Sequence, residues 1–303
     1  MSTLHPDLFS AGLPMIPGYI KHKQFGSEND IVLNFGYVPL GPEGDRLFNV
    51  GFKVADLFEN LRNIPVRVTT GDQDPLSPPG RYELTVTDRL AELGYDYVHY
   101  GCSVHTHGPT NATLGQELLN WLINQVRVEN PRFVVYKGNT GIDAWNEPWG
   151  NKHDAAYWLR DIRFAEASRP FLVNAESKAL ADTSRTATPI SGAMVEPGAP
   201  PSVCHYKGLE IERGAALPLS NVVEFMLDNV SSMTFYADRA GVSVTEPLTL
   251  VVGSDHAVSL LLKGLGGPLL VEVDGQPAAI SAQGSDAMLT TLAGQHTYVI
   301  RKA

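Results

Sequence analysis

Pro65-Val66-Arg67-Val68-Thr69-Thr70-Gly71-Asp72-Gln73-Asp74-Pro75 and the later loop Gly101-Cys102-Ser103-Val104-His105-Thr106-His107-Gly108 decide how the rest of the chain reads. Residues 65–70 are a short apolar, β-branched run, the pattern of a strand. The run stops at Gly71 and an acidic turn closed by Pro75. Residues 81–93 then have helical spacing, broken at Gly94. Residues 95–100 are a second strand, and the histidine loop follows. Strand, crossover helix and strand make a parallel pair, whose carboxyl ends share one edge, where ligands bind in open sheets. A carboxylate after one strand and an imidazole after the next are the acid and base of a nucleophile triad. Asp74 is the expected acid and His105 the expected base. Asp72 and His107 are their rivals.

This layout resembles the C-terminal half of an α/β-hydrolase, of the prolyl-oligopeptidase and esterase kind. That resemblance places the acid three residues after Gly71 and the base on the loop after the next strand. His5-Pro-Asp-Leu-Phe-Ser-Ala-Gly-Leu-Pro14 is similar to the segment that follows the nucleophile helix in those enzymes. The likeness runs from residue 1 to about residue 140. No Gly-x-Ser-x-Gly occurs in the chain. That nucleophile elbow precedes the Asp and the His in chain order. The resemblance therefore implies that the serine and the oxyanion hole come from an N-terminal polypeptide, by processing or as a separate subunit.

The chain has 303 residues, which favours two domains. A change of texture near residues 128–152 divides it into 1–140, the partial α/β-hydrolase, and 141–303. The second part shows short strands between turn signals, read as a β-sandwich or jelly-roll-like domain. Its strand candidates are residues 156–162, 171–175, 222–227, 233–236, 248–252, 258–262, 269–273 and 298–301. Residues 183–202, rich in Pro, Ser, Gly and Ala, read as a long surface loop. The fold class expected is thus α/β followed by all-β, with a three-layer parallel sheet in the first part. In that part residues 53–62 and 114–126 carry apolar positions at helical spacing, and residues 133–136 read as a strand.

Twenty-three basic and 33 acidic residues leave a net charge of −10. That balance excludes an electrostatic attraction to nucleic acid or to an anionic membrane. No apolar run approaches the ~20 residues of a membrane helix, and no signal-peptide pattern is visible. Two cysteines, Cys102 and Cys204, one in each expected domain, indicate no disulfide framework. Cys102 lies too near His105 in sequence for a thiol nucleophile of the usual kind. His105-x-His107 with His99 and Asp74 permits zinc by ligand type, but without a recognised spacing. No metal or other cofactor is expected. Trp145, Trp149, Tyr157 and Trp158 read as core packing in preference to a sugar platform.

Two functions follow. In one, the chain supplies Asp74 and His105 to a serine hydrolase acting on an ester or peptide bond, with the serine on a partner polypeptide. In the other, it is a non-catalytic binding or structural protein whose β-sandwich contacts a polymer or a partner.

Overall fold

Local patterning places strands along most of the chain. In a computed structural model, residues 5–12, 32–33, 36–37, 53–71, 73, 87–103, 112–138, 152–196 and 201–303 are described. Residues 32–33 (β1) and 36–37 (β2) form a small antiparallel pair. β3 (Val66–Gly71) and β4 (Tyr97–Cys102) lie side by side and parallel, with Val66 opposite Tyr97 and Gly71 opposite Cys102. Between them lies α1 (Asp88–Glu92). It ends at Gly94, whose φ of 64° suits a residue without a Cβ. The expected helix over 81–93 is present from residue 88, and residues 81–86 fall outside the described part.

Alternation along β3 and β4 sorts their side chains between two faces. Val66, Val68 and Tyr97 pack with Phe58, Leu61 and Leu90. Phe58 and Leu61 come from a 3₁₀ helix, Lys53–Leu61, where helical spacing predicts a helix over 53–62. On the opposite face Cys102 packs with Leu114 and Leu118 of α2 (Ala112–Ile123). The Arg67 guanidinium sits 4.7 Å above the Trp121 ring and 2.6 Å from Asp96.

The sheet does not continue as a parallel one. Its order is β3-β4-β9-β8, and the last two strands are a hairpin, β8 (Thr183–Glu196) and β9 (Ser202–Ala216). β9 runs antiparallel to β4, with Tyr97 opposite Leu209 and Cys102 opposite Cys204. This overturns the α/β-hydrolase resemblance and the fold class drawn from it. The described chain is 53% strand and 11% helix, and only one pair in this sheet is parallel. A hydrolase of that family requires a parallel sheet under helices, which the described chain does not have. The surface loop expected over 183–202 is also corrected. Its small and β-branched residues form β8, and Pro189 is accommodated because β8 is an edge strand.

β4 and β9 approach closely at Gly208. A Cβ there would stand 2.0 Å from the Tyr97 carbonyl oxygen and 2.8 Å from the Val98 Cα. Cys102 and Cys204 face each other across the same pair and are joined by a disulfide. The expectation of no disulfide framework is therefore corrected to one disulfide. Register brings together residues 102 apart in sequence, a distance no local pattern signals.

The remaining strands are β5 (Phe133–Gly138), β6 (Leu159–Phe164), β7 (Phe171–Ser177), β10 (Val222–Asp228), β11 (Val230–Tyr236), β12 (Leu248–Ser254), β13 (Ser259–Lys263), β14 (Leu269–Val273), β15 (Gln276–Ala278), β16 (Ser281–Gln283), β17 (Asp286–Thr290) and β18 (Gly294–Lys302). They make a seven-stranded sheet, β15-β14-β18-β12-β10-β7-β5, and a five-stranded sheet, β16-β17-β13-β11-β6. β10 to β13 alternate between the two sheets. β10 is parallel to β12, and β11 is parallel to β13. Four consecutive strands are thus successive rungs of a coil, in place of the β-sandwich or jelly roll expected.

Alternation on both sheets aims Val223, Phe225, Val230, Phe235, Leu250 and Leu260 into one shared core. Trp158 stands edge-on to Phe235 at 5.8 Å, and Phe225 edge-on to Phe235 at 5.7 Å. Its indole N–H is satisfied by the Pro131 carbonyl at 2.8 Å. Each such ring removes about 150–250 Å² from water on burial. Tyr157 and Trp158 are core residues, as patterning expects. Trp145 and Trp149 lie outside the described part.

The coil turns at Asn229, which is fully buried with φ of 57°. Its side-chain oxygen accepts from the Glu166 backbone N–H at 2.7 Å. Its amide donates to the Glu166 and Arg169 carbonyls at 2.9 and 2.8 Å. Asparagine tolerates the left-handed conformation and here satisfies the backbone of the neighbouring loop, so β10 passes to β11 through one residue.

Candidate functional site

Polar or titratable groups gather at several places among the described residues, three of which bear on function. The first is the carboxyl edge of β3 and β4. Gly71 and Cys102, the last residues of the two strands, are register partners. The Thr70 hydroxyl and His99 Nε2 are 2.8 Å apart just inside that edge, and both residues are buried. Asp74 and His105, with their rivals Asp72 and His107, lie outside the described residues. Of the groups named for zinc, only His99 is described. Among the described residues no three His, Cys, Asp or Glu side chains are grouped to hold a metal ion.

The second is the N-terminal segment. Tyr157 donates its hydroxyl to the Pro6 carbonyl at 3.1 Å, and Arg127 donates to the Asp7 carbonyl at 2.8 Å. Gly12 bridges to Val66 at the edge of β3. The His5 and His153 rings lie 4.8 Å apart. Burial holds the His153 imidazole down to about 4, and the neighbouring His5 adds to the effect. Burial lowers His5 as well, opposed by the Asp7 carboxylate. Burial thus favours the neutral form of both rings where residues 5–12 pack against the body of the protein.

The third is a groove of about 210 Å³ on the outer face of the seven-stranded sheet. Alternation puts there the residues of β5, β7 and β10 that do not point into the core. Register arranges them in two rows across the strands. One row is Phe133, Glu176 and Glu224, and the other is Val135, Asn174 and Met226. Arg62, at the end of the 3₁₀ helix segment, closes one side with its guanidinium 4.7 Å from the Phe133 ring centre. Both Nε and Nη2 of Arg132 lie 2.8 Å from one Glu176 oxygen, and Lys178 pairs with one Glu224 oxygen. Each carboxylate is thus held in place with a second oxygen not used in that pair. Asn174 and Met226 are exposed.

No sequence motif marks this groove, because its residues are spread over Arg62 to Met226 and meet only through strand pairing. The alternation of polar and apolar residues in β5, β7 and β10 identifies which of them face outward. It does not reveal which strands are neighbours.

No protein-family model matches the chain, and no curated protein or solved structure matches it. No helix among the described residues is long and apolar enough to cross a membrane.

Proposed function

We propose that the chain is a non-catalytic binding protein whose β-rich second part contacts a polymer through the outer face of the seven-stranded sheet. The observation that carries this reading is the pair of cross-strand rows over β5, β7 and β10, apolar and hydrogen-bonding side chains side by side in an open groove. Concave sites with an apolar floor and a few oriented polar groups are the usual form of a binding pocket. The rows continue across β12 and β18, which extends the pocket into a track that suits a chain-like ligand.

Co-sedimentation and affinity electrophoresis against polysaccharides, a suspended polyester and an unstructured polypeptide test it. Retention of the wild type by at least one of these is expected, with Met226→Asp weakening it. Retention by none of them would sink the reading.

A second reading keeps Asp74 and His105 as the acid–base pair of a Ser-His-Asp site for ester or peptide hydrolysis, with the serine on another polypeptide. It is favoured by one specific observation, the register of Gly71 with Cys102, since each of the two residues lies three positions beyond one of those partners. Fluorophosphonate labelling of a co-purified chain, lost in His105→Ala, is the outcome it requires.

A further inference from the structure

We infer that the Cys102–Cys204 disulfide is a redox-controlled clasp: reduction by a dithiol lets the β8–β9 hairpin detach from β4 while the coil stays folded. This does not depend on the polymer-binding reading above.

The hairpin is an arm of the coil. β7 ends at Ser177 and β10 begins at Val222, and Ser177 is the register partner of Val223. The chain therefore leaves the coil and returns to it at one place. The Leu217 N–H donates to the Asp182 carbonyl, and the Ser220 N–H to the Lys178 carbonyl, which closes the arm at its base. From there β9 reaches across to β4 and pairs with it from Tyr97 to Cys102.

Little besides the disulfide holds the arm to β4. Among the described residues of the hairpin, Cys204 has the one fully buried side chain; Gly208, also buried, has none. Leu209 and Met194 are partly buried against the neighbouring clusters. The rest of the seam is hydrogen bonding. The Ser103 N–H donates to the Val203 carbonyl at 2.7 Å, and the Ser103 hydroxyl accepts from the Val203 N–H at 2.9 Å. Such bonds add little net stability, because water satisfies the separated strands as well. The chain has two cysteines, so no second disulfide backs up the first. The coil has its own core, built without any residue of β4, β8 or β9.

The clasp is also covered. Cys102 and Cys204 are both fully buried, beneath Leu114 and Leu118 of α2. A reductant reaches them when α2 lifts, a local opening short of global unfolding. The exchange then runs in two steps. A thiolate of the dithiol attacks one sulfur and forms a mixed disulfide, and its second thiol displaces that bond. Two electrons and two protons pass to the cysteines, which become thiols, and the reductant is left as a disulfide. In oxidising surroundings the clasp is closed.

Hydrogen exchange read by mass spectrometry, on the oxidised protein and on protein reduced with dithiothreitol, tests the clasp. Reduction is expected to speed exchange in β4, β8 and β9 by roughly tenfold or more and to leave β10 to β13 unchanged. In Cys102→Ala/Cys204→Ala the arm is expected to exchange like the reduced wild type, with or without reductant. An arm equally protected in all samples would overturn the proposal. So would protection lost throughout the coil.

The rate of reduction, followed by alkylation and mass in low urea, tests the cover. A local opening makes that rate rise less steeply with urea than global unfolding does. A slope equal to the global one would overturn the role of α2. Leu118→Ala leaves a void over the sulfurs and is expected to speed reduction by roughly tenfold. A folded Leu118→Ala protein reduced as slowly as the wild type would likewise remove α2 from the mechanism. The urea slope is measured on the wild type, so it decides even if that variant fails to fold.

Discussion

Replacing both cysteines by alanine tests the joint between β4 and β9. The disulfide closes a sequence separation of 102 residues, and that span contains α2 and all of β5 to β8. Cutting it frees the unfolded chain far more than the folded one. In the chain-entropy account a loop of about 100 residues is worth ~4.7 kcal/mol. Native disulfides in practice are worth about 2–5 kcal/mol. Both sulfurs are buried beneath Leu114 and Leu118 of α2, so alanine also leaves a small void there. Serine is the poorer choice, because it places hydroxyls in that apolar layer. The double variant Cys102→Ala/Cys204→Ala is therefore expected to lose about 3–5 kcal/mol. Against a typical total of 5–15 kcal/mol that is a large fraction.

Equilibrium unfolding in urea reads this directly, comparing the oxidised wild type, the reduced wild type and the double variant. The midpoint falls in both perturbed samples. On heating, the shift is about 6–10 °C, at roughly 2 °C per kcal/mol for a chain of this size. A loss below ~1 kcal/mol would refute the loop-closure argument. Two free thiols in the purified protein, counted by mass after alkylation, would refute the pairing itself. Disulfides form and persist in oxidising surroundings, so the oxidised sample must be prepared without reductant.

Acid should release the N-terminal segment. The folded His153 value of about 4 lies below its ordinary 6.5, so burial favours the neutral ring. Its contribution is complete above pH 6.5 and is lost as pH falls from there to about 4, reaching about 3 kcal/mol. Unfolding midpoints measured between pH 7 and pH 4 should decline in the wild type and decline less in His153→Phe; equal slopes would contradict this account. Gly208→Ala drives a Cβ against the Tyr97 carbonyl and the Val98 Cα, backbone atoms that cannot rotate away. A loss of about 3 kcal/mol or more is expected by thermal unfolding, because overpacking of this kind forces the strands apart. A fully stable Gly208→Ala protein would mean that β4 and β9 are not in this register.

The local elements were legible. Period-two alternation marked β7, β10, β12 and β14, and helical spacing marked the segments around Phe58 and Leu118, because each buries one face of a regular structure. The βαβ pattern of residues 65–100 was legible too, and it is where the hydrolase resemblance arose. That resemblance failed at the next step. A parallel pair does not specify which strand joins it, and here the joining strand is β9, more than 100 residues later. Residues 183–202 misled because their small, Pro-containing composition suits a loop as well as an exposed edge strand. The groove at Phe133, Asn174 and Met226 carried no motif to find. Asp74 and His105 stand on sequence pattern alone.

By itself the sequence determined where many of the strands form, β8 and β9 excepted, and which side of each is apolar, since both depend on neighbours a few residues away. Only the tertiary structure decided that Cys102 meets Cys204, that β10 to β13 wind as a coil, and that β5, β7 and β10 lie side by side. Those outcomes turn on pairing between distant segments, and backbone hydrogen bonds are alike for every partner. The choice among partners falls to close packing at sites such as Gly208 and Asn229, which exists only once the chain has come together.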